Sequence, residues 1–324
     1  MVYTDKHAYL LVGKESTFNT GVTANKDVGI IQSVSLDETN NNTNHYSIGN
    51  RQAEQSTPGQ YDASINLTTH FQHGRMMSLM FGADNPVETT TDFKHTLVDV
   101  GTTELLDAGD SFTAELGFNS TVDVKHLVTG CKINSVTMTL ANPGIFAMDY
   151  EIIGTKNTVS AASSSKVISS LNVLPHMYGH ISTGADTSEV EHTRMQNFSL
   201  TISQGIDAAK DKGIGSRFNV SLTENQIEIT FDFTLQFATK TEHERFLGST
   251  TPQNSITDTS IIFNVHNGVT LGSGRQEFYL KVKGGQYESL STPVELNGII
   301  EQTFSGTART VEDLFFVDNI SAYF

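Results

Sequence analysis

The chain has 324 residues, 36 acidic against 20 basic, a formal net charge of −16 and one cysteine. That length suits two ordinary domains or one large all-β domain. The acidic balance and the lack of a Lys/Arg cluster exclude a surface that grips phosphates. The lone Cys131 excludes an internal disulfide framework, and no apolar run is long enough for a membrane-spanning helix.

The opening Met1–His7 lacks the basic-then-apolar layout of a signal peptide, and a reducing compartment fits. Residues 1–30 read as an N-terminal arm, because Gly13-Lys14-Glu15-Ser16-Thr17-Phe18-Asn19-Thr20-Gly21 is polar and predicts an exposed segment. From Tyr61 to Thr68 the residues alternate: Tyr61, Ala63, Ile65 and Leu67 against Asp62, Ser64, Asn66 and Thr68. Such alternation predicts a strand with one buried and one wet face. Gly74 to Phe81 reads as a short helix that stops at Gly82, where a left-handed cap is wanted. Ser135–Leu140 alternates again, and residues 158–170 have linker composition.

Beyond the linker, Phe198–Ser203 alternates. Gln226–Leu235 does so more strongly, with Ile227, Ile229, Phe231 and Phe233 against Glu228, Thr230, Asp232 and Thr234. Thr241 to Leu247 reads as a second short helix, with Thr241 and Glu244 at capping-box spacing and Gly248 at its end. Alternation of this kind belongs to antiparallel sheets with a solvated face. Two polar stretches, Thr39–Gly59 and Gly205–Asn225, exceed the length of an idle loop.

The chain reads as duplicated. Gly82 and Gly248 lie 166 residues apart, and so do Ile48-Gly49-Asn50-Arg51 and Ile214-Gly215-Ser216-Arg217. At that offset Ser33 meets Ser199, Gln60 meets Gln226, Thr68 meets Thr234 and Phe71 meets Phe237. A second echo joins Ser135–Leu140 to Ser289–Val294 and Gly154-Thr155 to Gly306-Thr307, both reading as closing hairpins. The expected units are residues 31–157 and 171–324.

No constellation of catalytic residues survives weighing. Gly272-Ser273-Gly274-Arg275 lacks the Gly-Lys-Ser/Thr ending of a phosphate loop and reads as a hairpin turn. His70 with His73, and His176 with His180, have metal-compatible spacing but no matching Cys, Asp or Glu ligand, so no metal or cofactor is expected. Cys131 reads as a buried small side chain. Asp149 and Glu151 share a strand face, which a glycosidase pair or a solvated face would both explain. Asn66-Leu67-Thr68 matches a glycosylation sequon inside a strand and is discounted.

Three places resemble the tail tube proteins of long-tailed bacterial and archaeal viruses. They are the opening Leu10-Leu11-Val12-Gly13-Lys14-Glu15; the run Ile48-Gly49-Asn50-Arg51 through Gly59-Gln60-Tyr61 and the alternating strand to Leu79-Met80-Phe81-Gly82; and the closing hairpin ending Gly-Thr. The resemblance implies domains of two antiparallel sheets with one short flanking helix, and the 166-residue repeat makes this all-β chain a tandem pair of such β-sandwich domains. It also implies rings whose inner sheets close around a channel, stacked through loops and arms, through which a genome passes. The chain would then be a non-enzymatic subunit of the virion tail, assembled in the host cytoplasm, with itself and other tail proteins as partners.

Two domains per chain favour a homotrimeric ring of pseudo-sixfold symmetry, with a homohexamer as the rival. The channel candidates are Asp62, Ser64, Asn66, Thr68, Glu228, Thr230, Asp232 and Thr234, whose acidic, hydroxyl-rich face would let DNA pass without sticking; a plain solvated exterior is the other reading. Arg51 and Arg217 are candidates for contacts between stacked rings or for local turn stabilisation. A distal or hub protein of the same fold is the near alternative. A β-sandwich adhesin is the distant one, and the absence of Trp argues against it.

Overall fold

The structure is a computed structural model, and it describes all residues except 1–7, 83–84, 89–91, 99–108, 119–123, 162–163, 165–166, 272–273 and 295–297. In chain order the first part holds β1 (Ala8–Lys14), β2 (Lys26–Asp27), β3 (Ile30–Thr39), β4 (Thr43–His45), β5 (Gln55–Thr57), β6 (Asp62–His70) and α1 (Arg75–Phe81). There follow β7 (Asn85–Glu88), β8 (Phe93–Val98), β9 (Phe112–Phe118), β10 (Val124–Ala141), β11 (Ala147–Gly154) and β12 (Lys156–Ser160). The remainder holds β13 (Gly179–Ala185), β14 (Ser188–Glu191), β15 (Met195–Ser203), β16 (Glu228–Gln236), α2 (Thr241–Leu247), β17 (Thr259–Leu271), β18 (Gly274–Ser291), β19 (Glu301–Ala308) and β20 (Thr310–Asp318). The fold is all-β, and every strand pairing is antiparallel.

One sheet runs through both halves of the chain in the order β3-β6-β11-β10-β15-β16-β19-β18. Its first four strands precede the linker and its last four follow it. Two further sheets, β2-β1-β9-β10-β12 and β14-β13-β17-β18-β20-β8-β7, stand beside it. The long strands β10 and β18 each serve two sheets. Bulges at Val128/Cys131 and Ile133/Ser135 let β10 turn from one to the other, as extra residues in a ladder do. One large apolar core joins all three sheets, from Leu10 and Ile65 to Phe263 and Phe316, beside a small cluster of Tyr9, Leu11 and Ala24.

Both predicted helices form where the sequence places them, and each ends on a glycine in the left-handed region: Gly82 at φ 66° and Gly248 at φ 83°. They differ in environment. Apart from Arg75, α1 is buried all round, as its run of Met, Leu and Phe dictates, whereas α2 buries only Glu242. The capping box does not form: Lys240 is the N-cap, with no side-chain cap bond, so Thr241 lies one position too far into the helix.

The N-terminal arm expectation holds in part: Lys14, Ser16, Thr17, Thr20 and Gly21 are exposed, but Ala8–Lys14 is a strand on β9, and Glu15 is 4% exposed. Its carboxylate accepts from Thr113 Oγ1 at 2.8 Å, from the Gly130 N–H at 3.0 Å and from the Asn19 N–H at 2.8 Å. These donors satisfy a buried acid that the sequence presents as solvated polarity. The linker expectation also shifts, since Thr158–Ser160 closes β12. Finally, β7 and β8, from the first half, join β20 of the second, so the halves share a sheet there too.

The ladders also correct the repeat alignment. Thr68 is opposite Ser33 and Thr234 is opposite Asn197, so Ser33 corresponds to Asn197 rather than Ser199. The bulges agree with this shift, falling between Ile31/Ser33 and between Met195/Asn197. Likewise Ala63 faces Gly154 while Ile229 faces Ala308, so Gly154 corresponds to Ala308 rather than Gly306. Val136–Tyr150 and Leu290–Phe304 keep the Ser135-to-Ser289 correspondence.

Candidate functional site

Period-two alternation gives the shared eight-stranded sheet a core face and a polar face. On β6, Ala63, Ile65 and Leu67 are buried, and on β16 so are Ile229, Phe231 and Phe233. Tyr61 and Ile227, at the strand starts, are only half-buried. Asp62, Ser64, Asn66 and Thr68 lie on the opposite face, and so do Glu228, Thr230, Asp232 and Thr234. Register carries that face across the neighbours: Ser33, Ser35 and Asp37 on β3, Asp149 and Glu151 on β11, and Ser135, Thr137 and Thr139 on β10. It continues through Ser199, Thr201 and Ser203 on β15, and Thr303, Ser305 and Thr307 on β19.

No Lys or Arg occupies any of these positions. The hydroxyls bond across strands, Thr137 Oγ1 to Thr201 Oγ1 at 2.8 Å, Thr234 Oγ1 to Thr303 Oγ1 at 3.1 Å and Thr68 Oγ1 to Asp149 Oδ1 at 2.5 Å. Cross-strand pairs of this kind stiffen a sheet by tenths of a kcal/mol to about 1 kcal/mol each. Asp149 and Glu151 are exposed, and Glu151 accepts from Asn134 and Ser135. Burial pushes the Asp232 carboxyl above its ordinary range. Asp62 differs from the rest: it accepts from Asn41 Nδ2 at 2.6 Å and takes the ammonium of Lys212.

The two halves meet at β10 and β15, paired from Ser135–Ser203 to Ala141–Asn197. Val136, Met138, Leu140, Phe198, Leu200 and Ile202 are buried on the core side of this junction. Burying side chains of that size contributes about 1.5–3 kcal/mol each. The loop after β15 reaches back over the first half. The Gln204 N–H donates to Asn134 O at 2.8 Å and its side chain to Met80 O, at the end of α1, at 2.6 Å. Further along, Glu224 pairs with Lys132 at 2.8 Å, and the Tyr61 N–H donates to Arg217 O at 2.9 Å.

Arg217 is thus engaged inside the chain. Its guanidinium donates to Asn40 Oδ1 at 2.6 Å and lies 5.9 Å from the rings of Tyr61 and Phe218. Arg51, at the matching tip of the first loop, is exposed. That first loop is a hairpin, β4 on β5, rather than an irregular stretch. Both tips leave an isoleucine bare, Ile48 at 107% and Ile214 at 111% exposure, each followed by a glycine at positive φ. The repeated Ile-Gly-x-Arg motif marked these tips in the sequence. Nothing in the sequence marked Lys212 as the buried partner of Asp62.

The sheet has two open ends. Among the described residues β3 pairs only with β6, and within this sheet β18 pairs only with β19. Val34, Leu36 and Leu290 are half-buried there, unlike Leu200 and Val136 at the internal junction. A groove of about 520 Å³ runs beside β3, lined by Ile30, Ile31, Val34, Phe118, Val167 and Ile168 among others.

The remaining sequence candidates fall elsewhere. His73 is bound to Asp27, His176 to the Gly144 backbone and His180 to Glu191. Cys131 is buried, and burial pushes its thiol up. The turn at Gly272-Ser273 lies outside the described residues, although Leu271 and Gly274 pair across it.

No curated protein sequence matches the chain. A family model described as phage tail tube protein matches residues 6–308. That span takes in every strand of the shared sheet, both loop tips and both helices, and the chain accordingly belongs to the phage tail tube protein family, a structural protein of the virion tail.

Proposed function

We propose that three copies of this chain close into a ring of pseudo-sixfold symmetry, and that such rings stack into a tube for genome passage, assembled in the host cytoplasm. In this reading residues 31–157 and 171–324 are tandem tube domains. The observation that carries it is the β10–β15 junction. There the second half continues the sheet of the first, while β18 and β3 are left as the same two edges of that sheet, without a further partner among the described residues. Closure removes both edges at once, which is how barrels avoid open-edge aggregation.

The polar face then lines the channel through Asp62, Ser64, Asn66, Thr68, Glu228, Thr230, Asp232 and Thr234. Affinity for nucleic acid rests on cations that neutralise phosphates; none of these positions is a Lys or Arg, and Lys212 at Asp62 and Lys132 at Glu224 are each paired with an acid. A wall of hydroxyls with scattered carboxylates repels or ignores the backbone of passing DNA. Ile48 and Ile214 favour axial contact: Ile214 stays bare beside the one lateral junction the chain contains. Arg51 is the free member of the arginine pair and is assigned to contacts between copies.

Mass photometry of the purified protein, with negative-stain averaging along the particle axis, tests the reading. Rings with the mass of three chains support it. Rings of six chains, with the second half on the outside, overturn the trimer. Single chains at every concentration and salt overturn the ring.

A further inference from the structure

We infer that the hairpin loop Asn40–Gly59 is a lateral clasp, closing on the second half of the adjacent copy so that Arg51 meets Glu228 of that copy. The inference rests on the ring reading and adds to it a defined contact within the ring, distinct from stacking.

The template lies inside the chain. The loop from Gly205 to Asn225 belongs to the second half, yet its contacts are on the first. Lys212 sits on Asp62, Arg217 O receives the Tyr61 N–H at 2.9 Å, and the Arg217 guanidinium reaches Asn40 at 2.6 Å. Phe218 meets Tyr61 edge-on at 5.6 Å between centroids. Through these contacts the loop crosses the ends of β10 and β11 to reach the start of β6.

The first loop has the same tip and the same place between two strands, but it is held only at its base, where Asn40 meets Arg217 and Asn41 meets Asp62. Every residue from Asn40 to Ser56 is exposed. Its shape is kept by its own bonds, with Thr43 opposite Thr57 and His45 Nε2 at 2.9 Å from Thr57 Oγ1. In a closed ring the half that receives it is the second half of the next copy.

Correspondence of β6 with β16 places the contact. Tyr61 corresponds to Ile227 and Asp62 to Glu228, which is exposed. Arg51 corresponds to Arg217 and is the one Lys or Arg between residues 40 and 60. The internal ladder, carried over to β18 and β3, sets Ser289 opposite Thr39 of the adjacent copy. This brings the base of the hairpin to the edge it must cross. Arg51 O then faces the Ile227 N–H, and its guanidinium takes at Glu228 the place that Lys212 holds at Asp62, since the counterpart of Lys212 in the first loop is Tyr46 and Arg51 is the cation that loop offers.

Cysteine cross-linking tests the contact, because the native Cys131 is buried and does not compete. Assembled Arg51→Cys/Ile227→Cys protein should oxidise to a covalent ladder that ends at three chains. The control, Tyr61→Cys/Arg217→Cys, should cross-link only within a chain. Separately, Arg51→Glu or Glu228→Arg should reduce the assembled fraction about tenfold at fixed concentration, and the double reversal should restore it. Circular dichroism of the single chains checks that the variants fold. Rings that form normally but neither cross-link nor respond to charge reversal overturn the clasp and leave the ring standing. Wild-type protein that forms no ring overturns both.

Discussion

Lys212, carried by the second half of the chain, holds its ammonium against the Asp62 carboxylate of the first. The lysine side chain is 1% exposed and its partner 44%. The cation is therefore desolvated and depends on one half-wet acid. Removing that acid leaves a buried charge unpaired, which costs more than the pair itself contributes. Asp62→Ala should destabilise the single chain by about 2–3 kcal/mol, discounted for the exposure of Asp62. Adding Lys212→Met should recover most of the loss. Urea unfolding of the two variants measures both, and a loss below about 0.5 kcal/mol for Asp62→Ala, the range of ordinary surface changes, would contradict the assignment.

Asp27 sets an acid limit. Burial raises its carboxyl, but His73 Nε2 at 2.7 Å and the guanidinium of Arg75 outweigh burial and hold it down at about 2. Because the folded value lies below the unfolded one, its contribution is complete above about pH 4 and is lost as pH falls through about 2. That contribution is about 2 kcal/mol. Asp27→Asn should destabilise the chain at neutral pH and flatten its stability profile between these limits. Denaturant titrations at several acid pH values, wild type minus variant, read the difference.

Lysines on the polar face report which way it points. Thr201→Lys with Thr303→Lys places two cations on the wall of each chain, two strands apart. Rings should still form. Assembled tubes should bind short linear duplexes about tenfold more tightly at low salt, with the gain disappearing as salt rises. Closed circular plasmid cannot thread a tube and should stay unbound. Plasmid binding would put this face on the exterior.

The isoleucine tips separate stacking from ring closure. Ile48→Asp and Ile214→Asp alter fully exposed side chains, so single-chain stability should move by less than about 0.5 kcal/mol. Rings should persist while long tubes disappear in micrographs. Unchanged tube lengths would remove the tips from the axial contact.

Alternation made the core and polar faces of β6 and β16 legible, because each side chain's face follows from its parity along a strand. The helices were legible through their terminal glycines. Glu15 was not, since a buried carboxylate satisfied by Thr113, Gly130 and Asn19 looks in sequence like any polar loop residue. The two-residue error in matching Ser33 comes from a β3–β6 connection two residues shorter than the β15–β16 one, and that in matching Gly154 comes from the repeated Gly-Thr, since Ser135–Gly154 and Ser289–Ala308 are equally long; only the ladders fix register. The Lys212–Asp62 pair was hidden for a related reason, as it joins residues 150 positions apart whose meeting depends on the β10–β15 junction.

That junction has a kinetic consequence. Two halves tethered on one chain meet at an effective concentration set by the linker, independent of how much protein is present. Half of the lateral contacts in a three-chain ring are therefore completed as each molecule folds, before any encounter with another. In the ring proposed above, closure would then depend on the third power of protein concentration instead of the sixth. A covalent fusion of two such units would lower the threshold for assembly without strengthening a single contact.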